Sequence, residues 1–130
     1  MTTLSYVDSS ALTKLVVTEA ESGGMRRWFI ESERLASSRL GVIETRRAAA
    51  RRVHDASRLE QVLRAFTVIE IDVVVAAAAA AIRPASLRTL DAIHLATAMG
   101  LGDQLDAFVT YDDPLAAAAR ALGLPVVSPA

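Results

Sequence analysis

Short runs rich in β-branched residues alternate along this chain with longer runs rich in alanine, leucine and arginine. That alternation constrains the fold most, because strand–helix–strand units build parallel sheets with helices on both faces. Leu4 to Val7 reads as the first strand. Ser9-Ser10 offers a cap for a helix carrying Leu12, Leu15 and Val16 on one face. Gly23-Gly24 is expected to break the chain before a short helix from Met25 to Ile30. Leu35 to Ser38 reads as a second strand, Leu40 to His54 and Arg58 to Phe66 as helices, and Val68 to Ile71 as a strand or extended link. Asp72 caps an alanine-rich helix to Ile82, which Pro84 ends. Thr89 caps the next helix, closed by Gly100 and Gly102. Ala107 to Thr110 is a strand, and Asp113-Pro114 is a cap and first-turn proline for a helix through Leu122 that Gly123 stops. Val126-Val127 is the last strand. The order, roughly βααβααβαβαβ, predicts an α/β fold: one domain over residues 1–130, a mostly parallel sheet between helical layers. In such sheets, ligands bind beyond the carboxyl ends of the strands, where strand order reverses.

Composition removes several classes. With no cysteine, a disulfide scaffold, a thiolate metal site and a cysteine nucleophile are out, and a reducing cytoplasm is the expected setting. No apolar run approaches the ~18 residues of a membrane span, and the N-terminus lacks the pattern of a signal peptide. Fourteen basic residues against 15 acidic ones leave a net charge of -1, so bulk charge does not mark a nucleic-acid binder.

The acids fall in telling places. Asp8 follows the first strand in "LSYVDSSAL", and Asp112 follows a later one in "FVTYDDPLA", which puts both at the same edge of a parallel sheet. Asp91 opens the apolar helix of "LRTLDAIHLATAMG", and Glu44 lies early in "LGVIETRRAAARR". Each also has a purely structural reading. Asp8 suits a helix cap, Glu44 an exposed residue pairing with Arg47 or Arg51, and Asp91 a partner for the positive helix end. Asp113 is accounted for as the cap before Pro114, which leaves Asp112 as the functional candidate of the two. A lone buried carboxylate is unstable unless a cation or donors meet it. Oxygen-only carboxylate sets select Mg²⁺ or Mn²⁺, and two such ions about 4 Å apart can activate a water against a phosphodiester. Arg46, Arg47, Arg51 and Arg52 can add a positive rim, with Arg47 and Arg51 beside Glu44 as RNA-binding candidates. Ser9, Thr110, Tyr111 and Asp113 flank the acids as supporting groups, and His94, one turn after Asp91, reads as a packing or orienting residue. Trp28 and Phe29 suit either the core or contact with a partner helix.

"YVDSSALTKLVV", "VIETRRAAARR", "LRTLDAIHLATA" and "FVTYDDPLAAAARALGLPVVSP", in this order and spacing, resemble PIN domains, specifically the VapC-type ribonuclease toxins of toxin–antitoxin pairs. The resemblance implies an α/β/α sandwich and Mg²⁺- or Mn²⁺-dependent cleavage of structured RNA, tRNA or ribosomal RNA. Asp8, Glu44, Asp91 and Asp112 fall on the family's acidic positions, with Asp8 and Asp91 on its usual metal positions. It further implies a homodimer and a small antitoxin that blocks the site and supplies operator-DNA binding. A metal-activated water would leave 5′-phosphate and 3′-hydroxyl ends.

Rival readings fare worse. A haloacid-dehalogenase-type phosphatase needs a second Asp where Ser10 stands, and a phospho-receiver needs a late lysine, whereas Lys14 is the only lysine. No G-x-G-x-x-G supports a dinucleotide site. The remaining alternative is a catalytically silent PIN-like module that binds RNA or protein.

Overall fold

The computed structural model describes residues 2–130. Five strands form one sheet in the order β3-β2-β1-β4-β5, and all four pairings are parallel. In sequence they are β1 (Leu4–Val7), β2 (Arg34–Ser38), β3 (Thr67–Ile69), β4 (Ala107–Val109) and β5 (Val126–Val127). The helices are α1 (Ser9–Val16), α2 (Ser22–Glu31), α3 (Arg39–Ala50), α4 (Ala56–Arg64), α5 (Val73–Ala81), α6 (Thr89–Met99) and α7 (Asp113–Ala121). Two helices, α5 and α6, separate β3 from β4, as expected from the runs after Asp72 and Thr89; the rough order βααβααβαβαβ leaves one of them out.

The period-two alternation of the central strands builds the layers. Val7, Ala107 and Val109 face a core completed by Leu12 and Leu15 of α1, Met25 of α2, Ala49 of α3 and Leu59 and Leu63 of α4. Tyr6 and Phe108 point the other way, into a second core with Leu95 of α6 and Leu115 and Ala119 of α7. The result is the expected three-layer sandwich. Trp28 and Phe29 pack against the first core.

The chain departs from expectation at its punctuation. Gly23 and Gly24 lie inside α2. The turn before it is made by Glu21 in a left-handed conformation, φ 63°. Gly24 answers a different need: a Cβ there would lie 2.1 Å from the Ala130 carbonyl carbon, so the chain can cross α2 only over a glycine. α3 stops at Ala50, short of His54, leaving Val53 98% exposed in the following loop. Thr89 is the first residue of α6 rather than its cap, a position taken by Arg88 without a capping side chain. Two further caps are reversed, both at the site.

Strand order turns back at β1. The chain moves from β1 to β2 and β3 on one side, then crosses to β4 and β5 on the other. The crevice beyond the carboxyl ends of β1 and β4 is therefore the place where such a sheet receives a ligand.

Candidate active site

Asp8 sits where β1 ends and α1 begins, and it caps that helix itself. Its Oδ1 accepts the backbone N–H of Ala11 at 3.0 Å and the Ser10 hydroxyl at 2.7 Å. The expected capping by Ser9-Ser10 is thus replaced: both serines lie inside α1, and Asp8 does the capping. Its Oδ2 accepts the Thr110 hydroxyl at 2.5 Å, and the Thr110 oxygen in turn accepts the backbone N–H of Asp112 at 3.0 Å. Ser10 also receives the Tyr111 N–H, which ties the loop after β4 to the start of α1.

Asp8 is 2% exposed and, among the described residues, meets no cationic side chain within salt-bridge distance. Burial pushes its carboxyl pKa up, and the donors Thr110, Ser10 and Ala11 offset only part of that. A neighbouring cation would remove this instability.

Asp112, not Asp113, is the cap of α7, accepting the Leu115 N–H at 2.9 Å through Oδ1. Asp113 is the first helical residue, with Pro114 next. The capping argument that set Asp113 aside picked the wrong residue of the pair. Asp112 nonetheless keeps its Oδ2 turned to the crevice, because a cap uses one oxygen and leaves the other.

Asp91 is met by a cation from its own chain. Arg88, one turn earlier, binds Asp91 Oδ2 through Nε at 2.9 Å and Nη2 at 2.8 Å, and the same Nη2 lies 3.6 Å from Asp112 Oδ2. The i, i+3 spacing in "LRTLDAIH" is the sequence signal for this pair, and sequence reasoning passed over it.

Glu44 does not pair with Arg47 or Arg51. Its Oε1 accepts the Ser9 hydroxyl at 3.0 Å and lies 2.8 Å from His94 Nε2. His94 Nδ1 is 2.6 Å from the buried hydroxyl of Tyr6. Burial and the Asp8 charge raise the Tyr6 phenol well above its ordinary pKa, so it stays protonated and donates to Nδ1. That leaves His94 Nε2–H to donate to Glu44. For Glu44 itself, partial burial opposes ionisation, but His94 and Ser9 overcome it and hold the carboxyl below its usual range. The chain Tyr6–His94–Glu44–Ser9 orients the carboxylate, a role only half visible in the sequence, where His94 was noticed and Tyr6 was not. His94→Ala should raise the Glu44 pKa, whereas His94→Gln, which keeps an N–H donor, should reverse part of that rise. NMR titration of the Glu44 side chain checks this.

The four acids are thus each one intermediary apart. Thr110 joins Asp8 to Asp112, Arg88 joins Asp112 to Asp91, and Ser9, next to Asp8, joins Glu44. As they stand among the described residues, no three acidic or histidine side chains enclose an ion position. The donor chemistry nevertheless fits a hard divalent cation: oxygen ligands only, a buried carboxylate with no cationic side chain, and a cation already placed between two others.

Beside the acids lies a groove of about 680 Å³, lined among others by Ser9, Lys14, Leu40, Glu44, Arg47 and Arg51. Arg46 and Arg52 are taken up by Glu60 and Glu19. Arg47 and Arg51 are exposed and, among the described residues, form no ion pair, so of the four arginines expected at the rim only these two are not engaged by a carboxylate.

Comparison with known proteins agrees with this architecture. The PIN domain family model matches residues 5–126. Ribonuclease VapC47 of Mycobacterium tuberculosis is 38% identical over 130 residues, spanning 95% of this chain and 96% of the relative. The crystal structure of M. tuberculosis VapC20, described as a sarcin-ricin loop cleaving toxin, superposes with a TM-score of 0.73 at 17% identity, over 96% of this chain and 99% of that one. FitAB bound to a DNA fragment superposes with a TM-score of 0.72 at 19% identity, over 96% and 94%. With its parallel sheet, its switch-point crevice and these relatives, the chain belongs to the PIN-domain family, among its VapC members.

Proposed function

We propose that this chain is a divalent-metal-dependent endoribonuclease toxin that cuts structured RNA, tRNA or ribosomal RNA. The observation that carries the reading is the meeting of Asp91 and Asp112 around one cation beside the buried, cation-free carboxylate of Asp8. The relatives named ribonuclease, and the RNA-cleaving VapC20 of the same fold, support it. Asp8, Asp91 and Asp112, with Glu44, would hold Mg²⁺ or Mn²⁺. When bound, the ion supplies Lewis acidity for water attack on the phosphodiester, with 5′-phosphate and 3′-hydroxyl products. Thr110 and Ser10 keep Asp8 aimed, and His94 keeps Glu44 ionised. Arg47 and Arg51 take RNA phosphates along the groove. In this reading the chain acts as a single PIN domain in the cytoplasm. A small cognate antitoxin blocks the site, and operator DNA is met only through that complex. A homodimer is part of the reading, with α5 as a candidate surface because it leaves Val73 and Val74 exposed.

The test is cleavage of total RNA by antitoxin-free protein with Mg²⁺, Mn²⁺ or EDTA, with 5′ ends mapped by sequencing. Metal-dependent cuts at one or a few sites support the reading. Metal binding without cleavage by a folded protein would favour the silent binding module. The double variant Arg47→Ala, Arg51→Ala should fold normally, bind RNA more weakly and lose about two from the log–log slope of affinity on salt.

A further inference from the structure

The most exposed member of the acidic crevice is a cation. The Arg88 side chain is 64% exposed, against 12% for the carboxylate of Asp91 that it holds. Its backbone is extended, φ -62° and ψ 143°, at the last position before α6. The side chain therefore enters the crevice from the rim, on a stem that no helix packing fixes. Its contacts are also selective. Nε and Nη2 both go to Oδ2 of Asp91, and Nη2 alone reaches towards Oδ2 of Asp112.

Those two oxygens are the ones turned to a common point, since Asp112 Oδ1 is committed to the cap of α7. A guanidinium nitrogen 2.8 Å from Asp91 Oδ2 fills the space a divalent ion needs, at about 2.0–2.1 Å for Mg²⁺. Two cations cannot share that position. An arginine guanidinium stays protonated in proteins, so deprotonation does not clear the way. Movement does: the guanidinium half of the pair lies in solvent, which screens it and offers it other partners. Once released, the guanidinium has five N–H donors in a planar fork, at the mouth of a site that receives a phosphodiester.

We propose that Arg88 is an exchangeable counter-ion: it neutralises Asp91 and Asp112 in the metal-free protein, gives up those oxygens to the divalent ion, and then turns its guanidinium to a phosphate of bound RNA. The inference rests on the metal-dependent nuclease reading and adds a residue to it that the four-acid set does not contain.

The two ideas fail differently when Mn²⁺ binding is measured on the full chain by calorimetry with no RNA present. Arg88→Gln removes the competitor and should bind Mn²⁺ about three- to fivefold more tightly than wild type. The same variant should bind labelled total tRNA about three- to fivefold more weakly, read by anisotropy within seconds of mixing in Mn²⁺ at low temperature. Arg88→Lys, a single-point grip without the fork, should fall between the two proteins in both measurements. Equal or weaker Mn²⁺ binding by folded Arg88→Gln overturns the exchange, even if tRNA binding drops. Should Arg88→Gln not fold, Arg88→Lys decides the matter, and Mn²⁺ affinity equal to wild type overturns it. Absence of Mn²⁺ binding by wild type sinks the metal reading itself, and the exchange with it.

Discussion

Asp8→Asn should abolish RNA cleavage, a fall of at least roughly 100-fold, while the protein keeps or gains thermal stability. The two halves of that result have one cause. Asparagine is nearly the same shape, so its carbonyl oxygen still accepts the Ala11 N–H and the Ser10 hydroxyl that hold Asp8 Oδ1. On the other side the Thr110 hydroxyl rotates to accept from the new amide instead of donating to Oδ2. The freed Thr110 O–H can turn to Ser10 Oγ, 3.4 Å away, so the fold keeps its contacts, and it sheds a carboxylate whose pKa burial pushes up. What disappears is the negative charge that a divalent ion requires. Asp8→Ala separates the effects from the other side, because it also removes the cap of α1 and should cost about 1–2 kcal/mol. Melting curves and the total-RNA assay, run on the same preparations, check both. Asp91→Asn should match Asp8→Asn in activity while also freeing Arg88. Full cleavage by either folded variant would remove that residue from the mechanism.

Phe108→Ala should destabilise the protein by about 3–5 kcal/mol and lower its melting temperature by on the order of 10 °C or more. Phe108 is fully buried in β4, between β1 and β5. Its ring stacks on Tyr6 with centroids 5.3 Å apart and an interplanar angle of 12°. Removing it opens a cavity at the centre of the second core, under the strand that carries Thr110 and Asp112 to the crevice. Tyr6 also loses the surface that aims its hydroxyl at His94, so cleavage should fall in Phe108→Ala even below its melting range. Val53→Ala, at a side chain in solvent, should shift stability by less than about 0.5 kcal/mol. Chemical denaturation of the three proteins tests the contrast, and a Phe108→Ala variant as stable as wild type would refute it.

Which features the sequence made legible follows from the range of the forces involved. The strands and most helices are written in local periodicity, so their existence was readable and only their ends moved. The acids were found because strand ends in a parallel sheet share an edge, a rule of topology that needs no side-chain geometry. What escaped depended on which atom reaches which. Asp112 and Asp113 are equivalent as sequence cap candidates, and only backbone position shows that the first one caps α7 while presenting its other oxygen to the crevice. Gly23-Gly24 looked like a break because glycine often is one, but the reason for Gly24 is a chain segment more than 100 residues later. Arg88 was lost among thirteen arginines, although its spacing to Asp91 was in plain view. Tyr6 was counted as a strand residue, and its pairing with His94 spans 88 positions that no local pattern connects.

The placing of β1 between β2 and β4 also bears on synthesis. Asp8 is made early, yet its Thr110 donor lies 102 residues later, and Asp112 follows that. A nascent chain that has built β1, β2 and β3 has three of the five strands, and Asp8 still lacks Thr110, Asp91 and Asp112. The acidic crevice closes only when β4 slides in beside β1, a late and long-range event. On the proposed reading, the acids that would hold the ion come together only once β4 is in place.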